Sequence, residues 1–131
     1  MRLLLDTHVA LWAIARVDKL PEDAKRLIAD PENTISISVV TLWEIAIKYP
    51  LGRRGIGKMP ISASDALRLF HSAGFELLEI SGPHALAVEA LPSLHGDPFD
   101  RMLVAQALTE PMRLLTADAK VAAYADSIIR V

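Results

Sequence analysis

The stretch that most constrains this chain is its start, Arg2-Leu3-Leu4-Leu5-Asp6-Thr7. An unbroken leucine run with no polar alternation suits a strand covered on both faces, as in a parallel sheet held between helices. Asp6 ends the run at once, and Thr7 to Ala15 reads as the helix that follows. A carboxylate therefore stands where a buried strand hands over to a helix, the edge at which open parallel sheets bind their ligands. The same strand–acid–helix element recurs at Ile35–Glu44 and Arg113–Asp118, and a fourth acidic cluster, Asp97 to Asp100, lies between them.

The rest of the chain keeps this alternation. Pro21 opens a second helix at its first turn, with Ala24, Leu27 and Ile28 as its apolar stripe, and the turn cluster Asp30-Pro31-Glu32-Asn33 ends it. Thr34 to Val40 alternates Ser with Ile and Val and reads as a strand. Thr41-Leu42-Trp43-Glu44 starts the third helix, with Thr41 and Glu44 at capping-box spacing, and Leu42, Ile45 and Ala46 share a face. Pro50 ends that helix. Leu51 to Lys58, with three glycines and Arg53, Arg54 and Lys58, reads as a basic mobile loop. Ser62 caps a fourth helix that Gly74 stops, and Phe75 to Ile80 is a third strand. Pro83 opens a fifth helix. Asp97-Pro98 opens a sixth, with Asp as cap and Pro at the first helical position, running to about Thr109. Arg113 to Thr116 is a fourth strand, Asp118 starts a helix to about Asp126, and Ile128 to Val131 is a last short strand. The pattern predicts a three-layer α/β/α sandwich around a parallel sheet of four to five strands, in one domain spanning 1–131.

Composition narrows the chemistry. Apolar residues make up 52% of the chain, so disorder is not expected. No apolar run is long enough to cross a bilayer, and Asp6 interrupts what would otherwise be a leader, so a cytoplasmic protein is expected. The absence of cysteine excludes a disulfide framework, a thiol nucleophile and a Cys-based zinc site. A net charge of −2 is not the footprint of a protein that binds nucleic acid over its whole surface. Any such contact must be local, or a cation or second subunit must supply charge.

Taken singly, the acids have structural explanations. Asp6, Asp97 and Asp118 suit helix caps, Glu44 suits the far half of a capping box, and Asp100 suits the helix dipole. Taken together, Asp6, Glu44 and Asp118 fall just past strand ends that share one sheet edge, where they would repel one another without a cation among them. Hard divalent ions such as Mg²⁺ and Mn²⁺ take a few carboxylates plus water, which suits phosphodiester hydrolysis by activated water. Asp97 is assigned mainly to structure and Asp100 to the site. There is no Gly-rich phosphate loop.

Four segments carry a resemblance: Leu3-Leu4-Leu5-Asp6-Thr7-His8, Thr41 to Lys48, His95 to Ala107 and Leu114-Leu115-Thr116-Ala117-Asp118. In order and spacing they resemble the four motifs of the PIN-domain nucleases, VapC-type toxin ribonucleases of toxin–antitoxin pairs in particular. The resemblance implies that Asp6, Glu44, Asp100 and Asp118 ligate Mg²⁺ or Mn²⁺ and activate water for RNA cleavage. Asp97 would be an additional acid, acting directly or through water. It places Thr116 where the family often has a hydroxyl near the site, which makes it a candidate substrate contact. It also implies a homodimer and a cognate antitoxin partner.

Among the other polar residues, Lys48 suits an i,i+4 pair with Glu44 or a hold on substrate phosphate. Arg53 and Arg54 with Lys58 suit an RNA backbone or a solvated loop. His8 and His95 are more readily structural than ligands, Arg101 suits a solvated helix face, and His71 and His84 read as peripheral. Trp12 and Trp43 suit core or dimer contacts better than base stacking. Two alternatives share the fold pattern: a receiver-type phosphoacceptor, which would want an acidic pair after its first strand, and a non-catalytic interaction module.

Overall fold

The computed structural model describes residues 1–54 and 59–131, with the side chains of Arg53 and Arg54 outside that description. The predicted basic loop, with Lys58 and both arginine side chains, therefore lies outside the described residues. In chain order the elements are β1 (Arg2–Leu5), α1 (Thr7–Ala15), α2 (Glu22–Ala29), β2 (Thr34–Ser38), α3 (Val39–Lys48), α4 (Ala63–Ser72), β3 (Glu76–Leu78), α5 (Gly82–Glu89), α6 (Pro98–Thr109), β4 (Arg113–Thr116), α7 (Ala119–Ala122) and β5 (Ile129–Arg130). Short 3₁₀ turns occupy Val17–Lys19 and Pro50–Arg54.

All five strands are parallel, in the order β3-β2-β1-β4-β5. Strand order reverses at β1, so the crevice that such a sheet opens to ligands lies at the C-terminal ends of β1 and β4. Side-chain alternation explains the leucine run. Leu3 and Leu5 join one buried cluster with Val9 of α1, Ala24 of α2, and Ala66 and Phe70 of α4. Leu4 faces the other cluster, with Leu103, Val104 and Ala107 of α6 and Val121 of α7. Both faces of β1 are dry, and the three-layer sandwich follows.

Several element boundaries differ from the expectation. β2 stops at Ser38, which caps α3 by accepting from Val40 N at 3.0 Å while its hydroxyl donates to Gln106 Oε1 at 2.5 Å. Helix α3 thus begins at Val39, and the Thr41–Glu44 capping box does not form. Thr41 and Glu44 instead point inward, Ile45 is buried beside them, and Ala46 is exposed. Pro21 is the cap residue of α2 rather than part of its first turn. Strand β3 is shorter than Phe75 to Ile80, and α7 ends at Ala122 rather than near Asp126.

His84 is a further correction. It is buried, not peripheral. Nδ1 accepts from Ser81 N at 3.0 Å in a capping box, and Nε2 faces Glu110 Oε2 at 2.5 Å. Gln106 Nε2 lies 3.3 Å from Nδ1 and also donates to Glu79 O at 3.2 Å. The Gln106 amide thereby links α5 and α6 to the Ser38 cap of α3. Among the described residues no buried side-chain polar atom lacks a partner.

Gly74 closes α4 at φ +81°, with nothing near where a Cβ would sit. The cost of a side chain there is backbone strain alone, so Gly74→Ala should destabilise by about 1–2 kcal/mol. Urea denaturation should show the loss in midpoint at unchanged slope.

Candidate metal centre

Asp6 is fixed from two sides. Its Oδ1 accepts from Val9 N at 2.9 Å, capping α1, and its Oδ2 accepts from Thr116 Oγ1 at 2.5 Å. The residue is only 5% exposed. Burial pushes its carboxyl up from 3.8 to about 6, against the lowering effect of the two hydrogen bonds and of His8; the charge of Asp100 pushes the same way as burial.

The Thr116 hydroxyl also accepts from Asp118 N at 3.0 Å, and Asp118 caps α7 through Lys120 N at 2.8 Å. Thr116 is fully buried. Both of its hydroxyl bonds go to the protein rather than toward the substrate contact expected from the sequence, and they orient Asp6 and the Asp118 backbone. Thr116→Val keeps the shape and removes the hydroxyl. It should weaken divalent-cation binding by about 10–100-fold in a calorimetric titration, with the fold retained by circular dichroism.

Asp97 caps α6, its Oδ1 accepting from Phe99 N at 2.8 Å and Asp100 N at 3.0 Å. That cap aims Asp100 into the crevice from the first turn. Asp100 Oδ2 lies 2.9 Å from His95 Nε2. Burial, reinforced by the charges of Asp97 and Glu44, raises the Asp100 carboxyl above its ordinary value despite the His95 hydrogen bond. His95, Asp100 and Asp118 each present a ligand atom, all within 4.8 Å of one another. That trio includes neither Asp6 nor Glu44, although Asp6 is joined to Asp118 through Thr116.

Glu44 reaches inward from the second turn of α3 and is 3% exposed. Its Oε1 accepts from Thr7 Oγ1 at 2.7 Å and its Oε2 from Lys48 Nζ at 2.5 Å. Thr41 Oγ1 lies 3.3 Å from the Thr7 hydroxyl. Burial works against the Lys48 ammonium, but its bond to Glu44 and the charges of Glu44, Asp97 and Asp100 prevail and raise its pKa. Lys48 also sits 5.5 Å over the Phe99 ring, and Trp43, 56% exposed, packs edge-on against Phe99 at 5.2 Å. Trp43 is thus not a core residue, whereas Trp12 packs partly buried against the first core cluster.

Two sets of residues escaped the sequence reading. Thr7 holds Glu44 across a sequence gap no local pattern spans, and Thr41 meets the Thr7 hydroxyl. Arg101 is not on a solvated face: its guanidinium donates to the carbonyls of Pro92 at 2.9 Å and Val88 at 3.2 Å and to Tyr124 Oη at 3.0 Å. Tyr124 in turn donates to His95 O at 3.3 Å. The donor set as a whole, carboxylate oxygens with one imidazole around a crevice where two carboxyls are held above their usual range, suits a divalent cation.

A family model described as PIN domain matches residues 3–127. The chain belongs to the PIN domain family. No curated protein matches the sequence. The fold is that of several solved structures. VapBC2 from Rickettsia felis bound to a DNA fragment from its promoter aligns with TM-score 0.68 and 20% identity, over 100% of this chain and 98% of that one. DNA-bound VapBC from Salmonella typhimurium gives 0.64 and 16%, over 100% and 97%. VapBC-5 from Mycobacterium tuberculosis, a member of the VapBC family of toxin–antitoxin systems, gives 0.61 and 22%, over 99% and 98%. At these identities the likeness establishes the fold. Among the described residues, no helix is long and apolar enough to cross a membrane.

Proposed function

We propose that this chain is a divalent-metal-dependent endoribonuclease, the toxin member of a toxin–antitoxin pair. The observation that carries the reading is the meeting of Asp100, Asp118 and His95 within 4.8 Å at the sheet edge where Asp6 is buried, in a chain of the PIN family. The toxin assignment draws support from the fold shared with VapBC structures. Membership of the PIN family sets the receiver-type alternative aside.

In this reading Asp6, Glu44, Asp100 and Asp118 hold Mg²⁺ or Mn²⁺, with Asp97 contributing directly or through water. The bound cation supplies a water of lowered pKa and offsets charge on the scissile phosphate. The protein's own part is positioning. Thr116 and Val9 N lock the Asp6 carboxylate in one orientation, and Asp97 does the same for the turn that bears Asp100. Lys48, held by Glu44 at the crevice, binds a phosphate oxygen of the RNA strand, with Arg53 and Arg54 as further contacts to its backbone. The chain acts as one domain over 1–131 in the cytoplasm, as a homodimer restrained by a cognate antitoxin.

The test uses purified full-length chain and a circular RNA mixed into a linear pool. Cleavage of the circle with Mn²⁺ and none with EDTA is the expected result. A folded, Mn²⁺-bound chain that leaves every RNA intact would overturn the enzyme reading in favour of an interaction module.

A further inference from the structure

We propose that His95 is a nitrogen ligand of the metal centre, and that it biases this centre toward first-row transition cations such as Mn²⁺ over Mg²⁺. The inference rests on the metal-dependent reading above. The acids are the ligands that family membership implies; His95 is not one of them, and its position argues the case.

The imidazole faces the acids. Nε2 is 2.9 Å from Asp100 Oδ2, and one ligand atom each of His95, Asp100 and Asp118 lie within 4.8 Å of one another. Ligands on opposite sides of one ion stand about 4.2 Å apart, twice a metal–oxygen distance of about 2.1 Å, so a small closure of the trio suffices to share a cation. His95 and Asp100 side chains are 18% and 22% exposed, which leaves room for water ligands on the open side.

The loop that carries His95 is also anchored. Tyr124 Oη holds the His95 carbonyl, and Arg101 holds Tyr124 together with the carbonyls of Val88 and Pro92. Arg101 adjoins Asp100 on α6, so one turn of helix sets the acid and, through its neighbour, the loop bearing the imidazole. A hydrogen bond between His95 and Asp100 alone requires no such registration with Asp118.

Ligand chemistry gives the consequence. Oxygen-only sets of carboxylate and water suit Mg²⁺ and Mn²⁺ alike, whereas an imidazole nitrogen favours transition ions. His95 would therefore separate two cations that the acids alone treat similarly.

The experiment loads tag-free full-length chain with Mn²⁺ and records electron spin-echo modulation, which detects a ¹⁴N nucleus bound to the ion. The modulation should be present in the native chain, retained in His8→Gln and lost in His95→Gln. Glutamine keeps a hydrogen-bond partner for Asp100, and circular dichroism checks the fold. In calorimetric competition His95→Gln should reduce the Mn²⁺-over-Mg²⁺ affinity ratio by about 10-fold or more. Mn²⁺ bound without ¹⁴N modulation in the native chain, or an unchanged ratio in the variant, overturns the His95 role and leaves the carboxylate centre standing. A native chain that binds no Mn²⁺ overturns both.

Discussion

Asp6→Asn should make the metal-free protein more stable at pH 7.5, although Asp6 stands at the heart of the proposed site. Burial holds the Asp6 carboxyl at about 6 in the folded chain, against 3.8 when exposed. The folded state therefore binds a proton more tightly than the unfolded one. The stabilising effect of that proton is complete below about pH 4, is lost as pH rises toward 6, and is absent above it. The gap amounts to about 3 kcal/mol, and an amide, which never ionises, escapes it. Because the amide also forgoes a charge-assisted bond to Thr116, the net gain should be about 1–3 kcal/mol, or roughly 3–10 °C in melting temperature. The native metal-free chain should lose stability between pH 4 and 6, and the variant should show much less of this loss. Melting curves at pH 4.5 and 7.5 for both chains check the claim. A variant less stable than the native chain at pH 7.5 would contradict it.

Asp100→Asn should have the opposite profile: little change in fold and a loss of RNA cleavage by more than about 100-fold. Asp100 lies in the converging trio, and its replacement removes the donor that stands nearest His95. Loss of an outer-shell partner alone costs about 10–100-fold in metal sites, and a donor in the site itself should cost more. The native chain should gain about 2.7 kcal/mol of stability from Mn²⁺ at a hundred times the dissociation constant, read as a rise in melting temperature, and the same substitution should erase it. Cleavage rates on one RNA, with circular dichroism beside them, measure the effect. A variant within about 3-fold of native activity would remove Asp100 from the centre.

Much of this architecture was legible in the chain because its signals are local. The leucine run of β1 ends at the residue that caps α1, and Asp97-Pro98 and Ser62 cap their helices as their types require. The start of α3 was not legible. Ser38 can close a strand or cap a helix, and here it does both because Gln106, 68 residues away, accepts its hydroxyl. His84 looked peripheral for a similar reason: its partners Gln106 and Glu110 belong to another helix and its C-cap. At the candidate site, Asp6, Glu44 and Asp118 stood out from their places after strands, and Asp100 from the first turn behind the Asp97-Pro98 helix start. The bonds that hold them did not, since Thr7 meets Glu44 across 37 positions and Thr116 meets Asp6 across 110. The same long-range bond shows Thr116 orienting an acid, where the sequence suggested a substrate contact.

The most direct test of the central claim, that this centre turns water on an RNA phosphodiester, is cleavage in ¹⁸O-enriched water with Mn²⁺. The account predicts one ¹⁸O atom in each newly formed terminal phosphate, read by mass spectrometry of the fragments. Fragments ending in unlabelled cyclic phosphate would mean that the RNA's own 2′-hydroxyl attacks, and the activated-water account would be wrong.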